Sequence, residues 1–380
     1  MSTFLHRTVV VLVVAVLGVW LLGSRVPSLV DASPGGGTAD PQAPAQEPGH
    51  HRKHAPSGPE GVADDQLGVQ LSAHHSDRPG PALAVLDRLA RAGATWVRID
   101  VGWRTLQPEG RGPFELWYVD LLDAVLEGAK QDGLKVILNL WLTPEWASDS
   151  GSPYAPPRDD DDYADAIRRA AERWGDDVDA WEIWNEPNFD SFFAGADPAT
   201  YTRLLCTAYP VVKQYDDDPV LFGGLMYNDD AWLRQAYEAG AKDCFDALAT
   251  HPYVGPSDAA PDTPAVGAVW RLTHTPAMRE VMADFGDRGK RIWVTELGWS
   301  SGPDSAGNPW DRAVSPQRQA RFLREAVELI RNRYPYVGPI IWYRDVDGPT
   351  DDYQDGFGLL HPDLSPKPAM CAFEREVRGR

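Results

Sequence analysis

Residues 179–188 read DAWEIWNEPN, a short apolar run rich in tryptophan that leads into an asparagine, a glutamate and a proline. The first six residues have the length and composition of a buried β-strand. An isolated glutamate at the end of such a run commonly caps or solvates a loop. A further role for Glu186 depends on whether the rest of the chain supplies a scaffold and a second acid.

Seven other short runs, rich in β-branched and aromatic residues, repeat the strand pattern on both sides of this stretch. They are LGVQLS (67–72), TWVRIDV (95–101), KVILNLW (135–141), VLFGGL (220–225), FDALATH (245–251), RIWVTEL (291–297) and PIIWYR (339–344). Amphipathic stretches typical of helices separate them. Eight strand–helix units in about 310 residues predict an α/β fold, a (β/α)8 TIM barrel. The alternative, a doubly wound open sheet, lacks its Gly-rich first turn here.

Two glutamates lie at strand ends in this arrangement. Glu186 lies just past the fourth predicted strand, and Glu296, in WVTELGWS, lies at the end of the seventh. Functional side chains of such barrels come from the carboxyl ends of the strands. Strands four and seven face each other across the barrel mouth, so both acids are predicted to reach one pocket.

Paired carboxylates suit cleavage of a glycosidic bond, with one acid protonating the leaving oxygen while the other attacks the anomeric carbon or activates a water. The two acids need different surroundings, because the first requires a raised pKa and the second must stay ionised. Arg98, near the end of the second strand, is positioned to hold Glu296 ionised. An ion pair of Arg98 with Glu182 or Asp100 inside the barrel is the alternative, and Glu182 is predicted to be a buried structural partner.

The motifs WEIWNEPN and WVTELGW resemble the signature of the clan A retaining glycoside hydrolases, which are (β/α)8 barrels. The supporting pieces GVQLSAH, VRIDVGWRTLQP, LNLWLTPEWAS, ATHPY and IIWYRD occur in the order of that clan, and the resemblance covers about residues 66–373. Within the clan, the chain is most similar to family 39 and its bacterial endoglycosidase relatives, with the cellulase-like family 5 next.

The resemblance implies that Glu186 is the acid/base and Glu296 the nucleophile. It also implies that Asn185 bonds the sugar 2-hydroxyl, that His251 and Tyr253 flank the nucleophile, and that Trp342 lies beneath the sugar ring. A hydrogen-bonded core role for His251 and barrel packing for Trp342 remain alternatives. Tryptophans near strand ends are candidates for stacking on sugars. The full set of predicted substrate-binding residues is Arg98, Asn185, His251, Tyr253, Trp342, Trp141 and Trp299.

These features predict a retaining O-glycosyl hydrolase that cleaves a polysaccharide or oligosaccharide by double displacement through the two glutamates. A catalytically silent glycan-binding barrel at the cell surface is the alternative. An aldolase-type barrel would want a lysine at a strand end, and none of the eight ends carries one. Residue types alone leave the sugar, the linkage and the choice between endo and exo action open.

Composition and sequence motifs argue against several classes of binding partner and cofactor. The net charge of −20 disfavours nucleic acid, and the chain lacks the usual dinucleotide, P-loop and zinc motifs. We expect no cofactor and no metal, because the acidic run RDDDDY (158–163) suits a helix start and the HHRKH cluster (50–54) suits a solvated linker. A monomer that meets the membrane only through its N-terminal segment is expected.

The N-terminal part differs from the rest. Residues 8–23 are uncharged and apolar, which predicts a signal peptide or membrane anchor over 1–30. Residues 31–64, rich in Pro and Gly, predict a disordered linker, followed by the catalytic domain at 65–380. The barrel is therefore expected on the outer face of the membrane, or secreted. Cys206 and Cys244 would then form a disulfide and leave Cys371 free, or all three are buried thiols.

Overall fold

The computed structural model describes residues 66–72, 76–305, 307–350 and 352–379. Eight parallel strands form a closed barrel in chain order, and β8 pairs with β1. The strands are β1 Leu67–Gln70, β2 Trp96–Gly102, β3 Lys135–Trp141, β4 Ala180–Asn185, β5 Val220–Met226, β6 Ala247–His251, β7 Ile292–Leu297 and β8 Val337–Trp342. Each of the eight predicted strands overlaps an observed one, which confirms the (β/α)8 barrel.

Helices follow the strands along the chain and pack outside the barrel. They are α1 Pro79–Ala92, α2 Trp103–Leu106, α3 Leu116–Gln131, α4 Asp160–Trp174, α5 Pro198–Tyr215, α6 Asp230–Glu238, α7 Thr275–Asp284, α8 Pro316–Arg333 and α9 Pro368–Val377. Short 3-10 turns occupy Glu145–Ala147, Gly175–Asp177, Ala241–Asp243, Leu272–His274 and Tyr353–Phe357. The acidic run starts a helix, as predicted, because the Asp159 side chain accepts from the Asp161 N–H and caps α4.

The barrel interior is layered. Its lower layer is an apolar cluster drawn from seven strands, made of Trp96, Ile137, Ala180, Leu221, Ala247, Ala249, Trp293 and Ile341. Alternate residues of a strand point to the same side of the sheet, so the residues two positions further on lie one level nearer the barrel mouth. On five strands these residues are polar and fully buried, namely Arg98, Asn139, Glu182, His251 and Thr295. The sequence therefore builds a polar layer directly under the mouth.

A disulfide joins Cys206 on α5 to Cys244, which follows the 3-10 turn before β6, with 4.8 Å between the Cα atoms. Cys371 is free and exposed. Of the two alternatives that the sequence left open, the disulfide is the one found.

The predictions for the N-terminal segment (1–30), the linker (31–64) and the HHRKH cluster fall outside the described residues. Within the part of the chain that the structure describes, no helix has both the length and the apolar character needed to cross a membrane.

Candidate active site

The two predicted acids meet at the barrel mouth, where Glu186 follows β4 and Glu296 lies near the end of β7. One carboxylate oxygen of each lies within 4.8 Å of the other and of a ring nitrogen of His251. Glu186 has a left-handed backbone, with φ of 46°, and its N–H donates to the Gly224 carbonyl at 3.0 Å. A left-handed glutamate is uncommon and concentrates at functional sites, where surrounding structure holds the strain.

Both carboxylate oxygens of Glu296 accept hydrogen bonds. Arg98 donates to its Oε1 at 2.8 Å, and the Tyr253 hydroxyl donates to its Oε2 at 2.8 Å. Burial raises the pKa of Glu296 to about 7, while the Arg98 guanidinium and the Tyr253 hydrogen bond favour its ionised form. Arg98 thus supports the anion, but it does not outweigh the burial of the carboxylate. Tyr253 thus lies beside Glu296.

Arg98 is the hub of the polar layer and is completely buried. It donates to Glu182 at 2.6 Å and to Gln70 and Asn185 at 2.8 Å, and lies 3.1 Å from Asp100. Both interpretations of Arg98 therefore hold, because it supports Glu296 and also forms the internal ion pairs. Its grouping with the substrate-binding residues is corrected, since protein groups enclose it. The Asn185 amide oxygen accepts from Arg98, which leaves the amide nitrogen to donate to a ligand.

Among the described residues, no guanidinium forms an ion pair with Glu186. Burial raises its pKa well above the usual value for a glutamate, and the charge of Glu296 raises it further, although the charge of Arg98 lowers it in part. Its Oε1 lies 2.9 Å from Nδ1 of His251, whose pKa is lowered well below the usual value by burial. His251 is therefore neutral. It is fully buried and lies closer to Glu186 than to Glu296, at 2.9 against 3.7 Å.

The hydrogen bonds around His251 locate the proton of Glu186. Glu182 accepts from Arg98 and from the Gly224 N–H, and the Thr295 hydroxyl also donates to it, at 2.9 Å. With its single proton used, Thr295 accepts from Nε2–H of His251, 3.1 Å away. Nδ1 of the neutral ring is then an acceptor, so Glu186 must donate to it. We infer from these contacts that Glu186 is protonated in the resting site.

A glycine makes this packing possible. A Cβ on Gly224 would lie 2.1 Å from Nε2 of His251, so a larger residue on β5 would displace the imidazole that contacts Glu186.

The predicted tryptophans divide between the two sides of the barrel wall. Trp141 lies two positions after the interior residue Asn139 and packs near Tyr154 and Phe192, with ring centroids 6.1 and 6.0 Å away. It is therefore at the mouth, and its contact with sugar stays a prediction.

Trp342 and Trp299 face the helices instead. Ile341 belongs to the interior cluster, so its neighbour Trp342 points outward and, with Leu323 and Val327 of α8, lines an apolar gap. Trp299 is 1% exposed and stacks on Trp342. These positions correct the expectation that Trp342 lies beneath the sugar and that Trp299 stacks on it.

Several site residues were missed by the sequence analysis. Tyr343, one residue after Trp342, packs beside Tyr253 with ring centroids 6.1 Å apart, and Tyr227 directly follows β5. Both lie at strand ends, which is the signal that identifies them, whereas the sequence predicts sugar stacking for tryptophans alone. Thr295 was detectable as a polar residue within the otherwise apolar start of β7.

Glu186, His251 and Glu296 are also the one group of three among the described residues whose ligand atoms are close enough to hold a metal ion. The Arg98 guanidinium, 2.8 Å from Glu296, opposes a cation there. The arrangement suits proton transfer and nucleophilic attack better than metal binding.

The family model of cellulase (glycosyl hydrolase family 5) matches residues 64–326. The chain belongs to glycosyl hydrolase family 5. The resemblance to the clan A glycoside hydrolases is thereby confirmed, and of the two families named from the sequence, the matching model is that of family 5.

Curated relatives of this family 5 chain are distant. A β-xylosidase of Caldicellulosiruptor saccharolyticus is 24% identical over 284 residues, which are 67% of this chain and 55% of that protein. A probable glucan 1,3-β-glucosidase A of Aspergillus fumigatus is 30% identical over 145 residues, 36% of this chain and 34% of that protein. The chain spans about half of the length of the β-xylosidases that it matches.

Solved structures share the fold. A family 39 glycoside hydrolase from Bacteroides cellulosilyticus superposes with a TM-score of 0.64 at 24% identity, covering 83% of this chain and 64% of that one. A family 5 enzyme, GH5_18 of Streptomyces cattleya, gives 0.67 at 17% identity, covering 84% and 80%. Family 39 thus appears among the structural neighbours of this family 5 barrel.

Proposed function

We propose that this chain is a retaining O-glycoside hydrolase of polysaccharides or oligosaccharides, with Glu186 as acid/base and Glu296 as nucleophile. The observation that carries the proposal is the unequal environment of two buried carboxylates whose oxygens lie within 4.8 Å. Retaining enzymes hold their carboxyl groups about 5–5.5 Å apart, whereas inverting enzymes need about 6.5–9.5 Å to admit a water.

In the first step, Glu296 attacks the anomeric carbon while Glu186 gives its proton to the leaving oxygen, so the glycosidic bond breaks and a glycosyl ester forms. In the second, the Glu186 carboxylate takes a proton from water, the water oxygen bonds to the anomeric carbon, and Glu296 is released. Tyr253 and Arg98 orient Glu296 for attack, at 2.8 Å each. Asn185, held by Arg98, donates to the sugar 2-hydroxyl.

Relatives indicate which glycosides to test first. The named relatives are a β-xylosidase and probable glucan 1,3-β-glucosidases. Xylans, xylo-oligosaccharides and β-glucans are therefore the first substrates to test for hydrolysis. We expect hydrolysis of at least one glycan, and NMR at early times should show a product with the anomeric configuration of the substrate. First appearance of the inverted anomer would contradict the mechanism. A folded protein that binds glycans but cleaves none would support the silent-barrel alternative.

We also propose that the barrel acts outside the cytoplasm. The Cys206–Cys244 disulfide supports this, because disulfides persist in oxidising compartments. Cell fractionation that recovers the native protein in the cytosol with both thiols reduced would contradict it.

A further inference from the structure

Three aromatic side chains, Tyr227, Trp270 and Trp310, form a cluster on one side of the mouth, which we call the aromatic rim. They come from the segments after β5, β6 and β7. The rings of Tyr227 and Trp310 are 5.9 Å apart, and Trp270 meets Trp310 edge-on at 5.5 Å. Trp270 is 39% exposed, which is unusual for so large an apolar side chain.

Backbone hydrogen bonds join the segments that carry the rim. The Asn228 N–H donates to the carbonyl of Val269 at 3.1 Å, and the Gly255 N–H donates to the carbonyl of Trp270 at 3.1 Å. The Trp310 ring lies so close to Gly255 that an added Cβ would come within 1.9 Å of it. The rim is therefore held in place before any ligand arrives, which lowers the entropic cost of binding.

The rim adjoins Glu186 rather than Glu296. The Tyr227 N–H donates to the carbonyl of His251 at 2.9 Å, and the His251 ring bonds Glu186. Burial raises the pKa of Tyr227 and the charge of Glu186 raises it further, in agreement with this backbone contact. Glu296 instead contacts Tyr253, whose ring packs against Tyr343 and Phe357, and none of these residues belongs to the rim.

We propose that the aromatic rim binds the sugar units of the leaving group, so that the barrel acts on glycan chains that continue past Glu186. The inference rests on the proposed function, because the acid that protonates the leaving oxygen must lie on the side of the leaving group. Aromatic faces suit the apolar C–H faces of pyranose rings. The loops that carry Trp270 and Trp310 hold four aspartates (258, 262, 304 and 311) and two arginines (271 and 312), and Arg312 lies 3.9 Å from Asp258. Their net negative charge favours an uncharged chain over an anionic one.

Trp270→Ala is the variant that tests the rim, because the Trp270 side chain is exposed and its removal leaves the Trp310 ring packed on Gly255. Trp117→Ala is the matched control, since Trp117 is 53% exposed at the start of α3, away from the rim. Binding is measured by native gel electrophoresis of the full chain, which carries Glu296→Gln so that it does not cleave the polymer. Each gel contains one polymer, namely hydroxyethyl cellulose, mixed-linkage β-glucan, arabinoxylan or galactomannan. We expect at least one polymer to retard the protein and Trp270→Ala to weaken that binding about tenfold, which Trp117→Ala does not.

Turnover by the chain with Glu296 intact separates this inference from the proposed function. With Trp270→Ala, kcat/KM on an oligosaccharide should fall about tenfold more than on an aryl glycoside of the same glycon, whose leaving group spans one ring. Equal losses on the two substrates, or no retardation by any polymer, would overturn the rim as a leaving-group site. A chain that binds through Trp270 but hydrolyses no glycoside would overturn the proposed function and leave the rim as a glycan-binding site.

Discussion

The hydroxyl of Tyr253 donates to Oε2 of Glu296 at 2.8 Å, where Glu296 is buried and Tyr253 is half-buried. A hydrogen bond from a neutral donor to a buried carboxylate stabilises the ionised form and lowers its pKa. Tyr253 therefore helps keep the proposed nucleophile reactive in a site where burial alone would protonate it.

Tyr253→Phe removes that hydrogen bond. Because hydrogen bonds to charged groups contribute about 1.5–3 kcal/mol, kcat should fall roughly 10- to 100-fold. The pKa of Glu296 should rise, so the acid limb of the pH profile of kcat/KM should move to higher pH. Tyr215→Phe, on the exposed end of α5, is the control and should change neither. An acid limb that stays in place would show that Tyr253 does not tune Glu296.

Thr295→Val tests the proton assignment on Glu186. Without the hydroxyl that accepts from Nε2–H, the ring can hold its proton on Nδ1 and donate to Glu186, which favours ionised Glu186. The alkaline limb of kcat/KM should then move to lower pH, and substrates with poor leaving groups should lose about tenfold more rate than activated aryl glycosides. Thr295→Ser keeps the hydroxyl and should retain the parent profile. Equal losses in both variants would refute the assignment.

Glu186→Gln should stabilise the barrel at alkaline pH. The folded pKa of Glu186 lies well above its unfolded value, near 4.5, so the folded state binds the proton more tightly. The stability that Glu186 contributes to the parent is therefore full below the unfolded pKa and is lost as pH rises through the folded pKa. In denaturant melts, the variant should be more stable than the parent at pH 8 and no more stable at pH 4. Glu127→Gln on α3 is the control. A stability difference between Glu186→Gln and the parent that does not change with pH would contradict a raised pKa of Glu186 in the folded state.

The disulfide joins Cys206 to Cys244, which are 38 positions apart in the sequence. Replacing both with serine should lower the free energy of unfolding by about 2–4 kcal/mol, chiefly because the unfolded chain regains freedom. Reductant should lower the stability of the parent by a similar amount and leave the double variant unchanged. Cys371→Ser, which removes a thiol outside the disulfide, is the control. An equal loss of unfolding free energy in this control would argue against a stabilising Cys206–Cys244 disulfide.

The barrel and the acid pair were predictable because both depend on local patterns, namely apolar runs and polar residues at their ends. The direction in which the Trp342 and Trp299 side chains point could not be predicted from the sequence. Strands of a parallel barrel are buried on both faces, so no polar–apolar alternation shows which residues point inward. The network of Glu186, His251 and Thr295 was hidden for another reason, since it joins residues 65 and 44 positions apart that meet only across the closed barrel.

The configuration of the glycosyl azide formed by two variants tests the central claim most directly. Glu186→Ala still forms the ester at Glu296 from an aryl glycoside with a good leaving group. Azide then displaces the ester, so two displacements retain the configuration. Glu296→Ala has no nucleophile, so azide attacks the substrate once and inverts it. We expect NMR to show a retained azide from Glu186→Ala and an inverted azide from Glu296→Ala. The reverse pattern, or the same anomer from both variants, would contradict the roles assigned to the two glutamates.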